Sequence, residues 1–367
     1  MSDTVLLTGA TGFVGMEVMA RLIERDDDTR VIALIRAEDR DGASVRLRRL
    51  LGTLFDDPAA ASERVTALPG DIAVDGLGLN EIDRLYVLER VTSVIHCAAS
   101  ISFDLPLLQA MNINAGGAER VAELAHAVAE RGRLRRVVHV STAYVAGRHP
   151  VRFHEHEHAV GQAFRNTYEH SKFHAEGLLR DQYDLPLSIV RPSIIVGDSR
   201  SGWTPAFNVI YWPLRAFATG RLSEVPADPD GQLDVVPVDY VADGILAAHD
   251  EGVACDTIAL VAGDQAINIA ELAELAAEQF ERPAPKLGRA ATGMLADGEV
   301  YLPYFDVRGS FDDRHAREVL GERVPAPPPL ADYFPAIVDY AQLADWGRSP
   351  MTRAAAARRS ATLAAAA

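Results

Sequence analysis

A doubly wound α/β fold, a parallel sheet with helices on both faces and a smaller lobe towards the C-terminus, is what this sequence predicts. Three observations carry the prediction. Short runs rich in Val, Ile and Leu recur without polar alternation, the mark of strands buried on both faces. Longer segments between them space their apolar residues helically and keep a polar outer face. A glycine turn, TGATGFVG, joins the first apolar run to the first helical segment.

Taken in order, strands are predicted at Thr4 to Thr8, Val31 to Ile35, Val65 to Leu68, Val91 to Ile95, Val137 to Val140 and Leu187 to Val190. Helices are predicted at Gly12 to Glu24, Leu107 to Ala129 and Asn166 to Asp181, which gives the βαβ rhythm. After Pro192 the rhythm loosens into a stretch rich in Gly, Pro and Trp, Gly197 to Gln232. A helix from Asp239 and a strand at Thr257 to Val261 return to the sheet, followed by a helix at Ile269 to Gln279 and proline punctuation at Pro325 to Pro329. The final TRAAAARRSATLAAAA is rich in helix formers but shows no partner face, so a docked helix and a frayed tail both stay open, with the tail preferred.

Composition narrows the function. With 48% hydrophobic and 24% charged residues the chain has the balance of a globular protein. A formal charge of −16 argues against nucleic acid as partner, since phosphate contacts need clustered Lys and Arg. The two cysteines, Cys97 and Cys255, lie in apolar runs and form neither a disulfide framework nor a zinc spacing. The N-terminus runs straight into the first strand, with no apolar stretch long enough to span a membrane; a cytoplasmic location is expected.

The glycine turn has the context in which such a motif binds a dinucleotide, strand before and helix after, as in a Rossmann-type sheet. Gly9 permits the tight turn, Gly12 lets the backbone approach a pyrophosphate, and Gly15 lets the helix pack against the strand. At the end of the second strand, where an NAD enzyme places an acid for the ribose hydroxyls, Arg36 stands instead and favours the extra phosphate of NADPH. Arg40 and Arg46 are either further members of that cluster or solvated helix charges. Asp71, in Gly70-Asp71-Ile72, is either an acceptor for the adenine amine or part of an ordinary turn.

Tyr168 and Lys172 are four residues apart and share one helix face. An ammonium near a phenol lowers its pKa and equips it to protonate an oxygen that gains charge as hydride arrives. The fifth strand ends in Ser141 and Thr142, where strand ends face the ligand crevice; Thr142 is preferred as the hydroxyl that holds the oxyanion, with Ser141 as the alternative.

Together TGATGFVG, HCAASISF, NINAGGAERV, VSTAYVAG, YEHSK, VRPSIIVGDSRSG and LDVVPVDYVADGI resemble the extended short-chain dehydrogenase/reductases. Within them the chain is most similar to the fatty acyl-CoA reductase and thioester reductase branch, the male-sterility-like NAD-binding domains. The similar segments run from about residue 4 to residue 262. The resemblance implies that Gly9, Thr11, Gly12, Phe13, Gly15, Arg36, Asp71, Ile72, Ala98, Ala99 and Asn114 line the cofactor. It further implies that Thr142, Tyr168 and Lys172 are catalytic and that Arg191, Pro192 and Ser193 border the nicotinamide. One departure is Ala118 after Asn114-Ala115-Gly116-Gly117, where the family often has Thr; the segment YLPYFDVRGSFDDRHAREVLG matches the family only loosely.

Other residue patterns compete for attention. His149, His154, His156 and His158 invite a metal reading, but they fall in a loop without a recognised ligand framework; a solvated or lid loop is preferred and no metal is expected. Cys97 beside His96 suggests a covalent nucleophile, yet adjacent strand residues face opposite ways and a packing cysteine is the better reading. Trp203, Phe207, Tyr211, Trp212, Leu214 and Phe217 either line an apolar acyl pocket or pack the small lobe's own core.

The expected organisation is a dinucleotide-binding core with the catalytic residues over 1–196, a substrate-lobe insertion over 197–232, a return to the core over 233–265, a substrate lobe over 266–349 and an Ala-rich tail over 350–367. The expected activity is reduction of an acyl thioester, on coenzyme A or a carrier protein, to the aldehyde; whether a second hydride carries it on to the alcohol stays open. The runner-up is an NADP(H)-dependent alcohol dehydrogenase or ketoreductase, or a sugar-nucleotide epimerase; outside the enzymes stands a non-catalytic NADP sensor. A homodimer through helices flanking the sheet is expected by analogy with the fold.

Overall fold

The computed structural model describes residues 3–25, 28–250, 253–288, 304–305 and 307–366. Residues 289–303 and 306, within the lobe expected over 266–349, lie outside the described set, as does the start of the YLPYF segment.

Strands β1 (Thr4–Thr8), β2 (Arg30–Ile35), β3 (Val65–Pro69), β4 (Ser93–His96), β5 (Arg136–Val140) and β6 (Leu187–Pro192), with the strand Thr257–Leu260, form one sheet. Its order is β3-β2-β1-β4-β5-β6 and then Thr257–Leu260, every neighbouring pair parallel. The chain winds outward from β1 in both directions, so a crevice opens where β1 and β4 end side by side, the place where such sheets bind ligands. This is the doubly wound α/β fold that the sequence predicts.

Helices α1 (Phe13–Arg25), α2 (Arg40–Leu54), α3 (Pro58–Ser62), α4 (Glu81–Arg90), α5 (Leu107–Ala129) and α6 (Thr167–Gln182) cover the sheet together with Val238–His249. The strand period of two sorts the core. Val5 and Leu7 face α1, α2 and Val238–His249, whereas Leu6 faces α4 and α5. A separate apolar cluster joins Tyr211, Leu214 and Phe217 to Ile269, Leu272, Tyr333, Phe334 and Ile337.

Several predictions need correction. The fourth strand begins at Ser93, not Val91, because the Val91 amide closes α4 on the Val87 carbonyl at 2.9 Å and Thr92 bonds Thr4 instead. Helices α2 and α4 are absent from the sequence reading, although Asp39 and Asn80 cap them by accepting from Gly42 N at 2.7 Å and Asp83 N at 2.9 Å. The Ala-rich terminus is a helix, Arg353–Ala366, rather than a frayed tail: Arg353 binds Glu17 and Glu24 of α1, and Ala356 is buried. Cys255 is exposed at the sheet's lower end beside Arg136, not within an apolar interior.

Candidate active site

The glycine turn separates the three tasks assigned to its residues. Gly9 has φ +73°, and a Cβ there would lie 2.5 Å from Ala98 N, so the end of β4 is pressed against the turn and Ala98 stands at the crevice edge. A Cβ on Gly15 would meet the Gly9 carbonyl oxygen at 2.1 Å, which is close helix-to-strand packing. Gly12 differs: a Cβ would touch only the Gly9 oxygen at 3.3 Å, and Thr11 and Gly12 are exposed. Open backbone at the positive end of a thirteen-residue helix suits a pyrophosphate.

Arg36 follows β2 and is exposed, and Arg46 Nη1 donates to its carbonyl at 2.5 Å. Arg40 is diverted: its guanidinium is paired with Asp83, whose side chain is fully buried in α4. The Asp71 carboxylate accepts from Ala73 N at 2.9 Å, the turn geometry, and Ile72 is buried against α5 residues. Asn114 is a clasp more than a surface: Oδ1 accepts from Ser100 N at 2.8 Å, and Nδ2 donates to the Ser100 carbonyl at 3.0 Å and Ser171 Oγ at 2.8 Å. It thereby ties the loop after β4 to α6.

At the catalytic end the two hydroxyls after β5 part company. Thr142 Oγ1 donates to the Pro192 carbonyl at 3.3 Å and sits beside the Tyr168 phenol. Ser141 Oγ makes no close hydrogen bond and sits beside the Glu176 carboxylate. The structure therefore groups Thr142, not Ser141, with Tyr168. Lys172, on the same helix face, is buried and donates to the Val140 carbonyl at 2.7 Å.

The expectation that Lys172 lowers the phenol's pKa is reversed. Burial pushes the Tyr168 phenol up to about 12 against the pull of Thr142, and burial brings the Lys172 ammonium down to about 8 against the nearby Glu176 carboxylate. Burial is the largest influence on the phenol, and the Lys172 ammonium is not among the groups that offset it. At neutral pH Tyr168 thus carries its proton, the state of a donor.

The Arg191 side chain does not border the crevice as expected. It is buried, its Nε and Nη2 donate to Glu176 at 3.0 and 2.6 Å, and its other contacts are the carbonyls of Glu155 and Glu157 at 3.1 and 2.9 Å. Burial alone would raise the Glu176 carboxyl, but the Arg191 guanidinium takes it below its ordinary value. Ser193 is likewise turned to the buried Asp234, whose carboxylate also accepts from Ala262 N and Gly263 N at 2.8 and 3.0 Å.

The aromatic stretch mostly packs. Trp203, Tyr211, Leu214 and Phe217 are buried in core clusters, and Trp203 Nε1 donates to the Met351 carbonyl at 3.2 Å. A wall that sequence reasoning missed stands beside Tyr168 instead. Phe103 lies 5.8 Å from the Tyr168 ring and 5.1 Å from Tyr304, which in turn lies 4.9 Å from Tyr144. Only tertiary contact unites these distant positions. The HCAASISF segment held the one readable signal, an apolar Phe just past a strand end.

The loop histidines have their own partners: His154 Nδ1 is 2.7 Å from Asp312 with its ring stacked on His156 at 5.6 Å, and His158 Nε2 donates to the Phe173 carbonyl at 3.0 Å. Cys97 packs against the core, and burial pushes its thiol up to about 12, which opposes a thiolate nucleophile. No helix among the described residues is long and apolar enough to cross a membrane.

The family described as male sterility protein, an NAD-binding family, matches residues 7–245. The fatty acyl-CoA reductase wat of Drosophila melanogaster is 28% identical over 282 residues, covering 66% of this chain and 53% of the relative. The carboxylic acid reductase of Mycobacterium marinum is 29% identical over 274 residues, covering 66% of this chain and 23% of that protein. The chain thus spans about half the length of the first and about a quarter of the second. Among solved structures, the terminal R domain of the myxalamid PKS-NRPS pathway superposes with TM-score 0.81 at 24% identity over 95% of this chain and 92% of that one. A UDP-glucuronic acid 4-epimerase from Bacillus cereus, in complex with NAD, gives 0.68 at 17% identity over 94% and 98%. Both likenesses are of fold.

Proposed function

This chain belongs to the male sterility protein family, and on that premise we propose that it reduces an acyl thioester, carried by coenzyme A or a carrier protein, with NADPH as hydride source. The observation that carries the reading is the buried Tyr168 phenol set beside Thr142, the hydroxyl that follows β5 where strand ends face the crevice; burial raises the phenol's pKa, so it keeps its proton. The relatives, a fatty acyl-CoA reductase and a carboxylic acid reductase, support the substrate class.

Gly9, Thr11, Gly12, Phe13 and Gly15 would hold the pyrophosphate, Ala98 and Ala99 the crevice edge, and Arg36 the 2′-phosphate. When bound, NADPH supplies hydride to the thioester carbonyl carbon. Tyr168 gives its phenolic proton to the carbonyl oxygen, and Thr142 would be the second group to support that oxygen. The resulting hemithioacetal collapses to aldehyde and free thiol. The wall of Phe103, Tyr144 and Tyr304 excludes water beside the phenol and suits an acyl chain. On the same segment Ile101 and Leu108 are exposed, as a mouth for an apolar substrate would require. Residues 1–196 and 233–265 would carry the chemistry, and 197–232 with 266–349 the substrate.

The test follows thiol release and NADPH absorbance together across a panel of acyl-CoA thioesters. Wild-type protein should release one thiol for the first NADPH consumed, and Tyr168→Phe should lower turnover about 100-fold or more while still binding NADPH. NADPH loss with ketones and no thiol would replace this reading by the dehydrogenase; binding without consumption of any carbonyl would replace it by the sensor.

A further inference from the structure

Beneath the crevice runs a row of buried polar side chains that the proton transfer above does not use. Thr8, His96 and His139 occupy matched registers of β1, β4 and β5, so they lie side by side across the sheet. Thr8 Oγ1 is 2.6 Å from His96 Nδ1, the two imidazole centroids are 5.2 Å apart, and His139 Nε2 is 3.4 Å from Lys172 Nζ. All four side chains are buried.

Two further observations argue that this row is more than packing. His139 Nδ1 has no hydrogen-bond partner among the described residues. An orphaned polar atom in the interior is a cost that a Phe or Leu of similar volume would avoid. The second observation is compositional: of 36 Lys and Arg, only Lys172 and Lys286 are lysines. A chain that otherwise uses arginine keeps the compact ammonium, whose protonation responds to its surroundings, at this buried position.

We propose that His139 is a positioning residue for Lys172: its Nε2 accepts from the ammonium and, with the Val140 carbonyl, holds Nζ beneath the crevice, while His96 and Thr8 brace the imidazole from the β1 side. Burial, then the Lys172 charge, holds both imidazoles in the neutral form, His96 down to about 3 and His139 well below its ordinary value, so the acceptor persists across the working pH range. The groups that face Lys172 are Glu176 on its own helix, His96 and Cys97 from the end of β4, and His139 from β5, with Arg191 of β6 neutralising Glu176.

The inference rests on the proton-donor role proposed for Tyr168 and on the catalytic role that the resemblance implies for Lys172, and two lysines allow a direct test. Protein labelled with [13Cε]lysine gives two side-chain resonances, the exposed Lys286 serving as internal reference. The Lys172 resonance should titrate near 8 in wild-type protein. His139→Phe removes an acceptor that favours the charged form, so the midpoint should fall by about one unit; His139→Gln keeps an acceptor and should restore most of it. In steady state His139→Phe should lower kcat about 10-fold with little change in KM for the thioester, and the alkaline limb of its pH profile should move with the lysine midpoint. A Phe variant that titrates like wild-type, or a Gln variant as impaired as Phe, overturns the proposal. Should His139→Phe fail to fold, His139→Leu decides the same comparison. Wild-type protein that consumes no NADPH with any thioester defeats the proposed function, while the lysine titration still decides the role of His139.

Discussion

Single residues here are governed by what consumes their polar atoms. Arg40 and Arg191, both arginines close to the crevice in sequence, are taken up by Asp83 and Glu176, whereas Arg36 stays exposed at the end of β2. On the proposed function, that difference makes Arg36 the cation that would meet a 2′-phosphate. Arg36→Glu should therefore lower kcat/KM for NADPH about 10-fold or more and leave NADH turnover nearly unchanged. Equal losses with both cofactors would show that Arg36 serves the turn rather than the phosphate. The same logic separates Thr142 from Ser141, which are adjacent in sequence yet meet Tyr168 and Glu176 respectively.

At the level of elements, α6 is the part on which the proposed chemistry depends, because Tyr168 and Lys172 keep their spacing only while it is wound. Asn166 caps it by accepting from Glu169 N at 3.0 Å, and its own Nδ2 donates to Tyr304 at 2.8 Å. Asn166→Ala should cost about 1 kcal/mol in urea denaturation, the usual worth of such a cap. It should also weaken activity by loosening the first turn, where Tyr168 sits. Unchanged stability would mean that packing against α5 alone sets the start of the helix.

Across the whole molecule, the terminal helix returns to the first one. Arg353 donates to Glu17 at 2.7 and 2.9 Å and to Glu24 at 2.6 Å, and the Glu17 side chain is only 1% exposed. Removing that guanidinium leaves Glu17 with Arg21 as its remaining partner at 2.8 Å. Arg353→Ala should lower the urea midpoint, with a stability loss of about 1–3 kcal/mol and an unchanged slope. The exposed Arg359 on the same helix is the control, and equal effects at both positions would rule out a docking role for the Arg353 pairs.

Patterns with a local cause were legible in the sequence by itself. The strands, the glycine turn, the four-residue spacing of Tyr168 and Lys172, and the limits of the helices Leu107–Ala129 and Ile269–Gln279 follow from backbone geometry and apolar period, which act over a few residues. Tertiary structure alone decided the rest: which way each polar side chain turns, that Arg191 is spent on Glu176, that Phe103 and Tyr304 meet beside Tyr168, and that His139 reaches Lys172. These partners lie between 15 and 201 residues apart, and burial, not spacing, selects them, because a polar atom removed from water must take whatever partner the fold brings within reach.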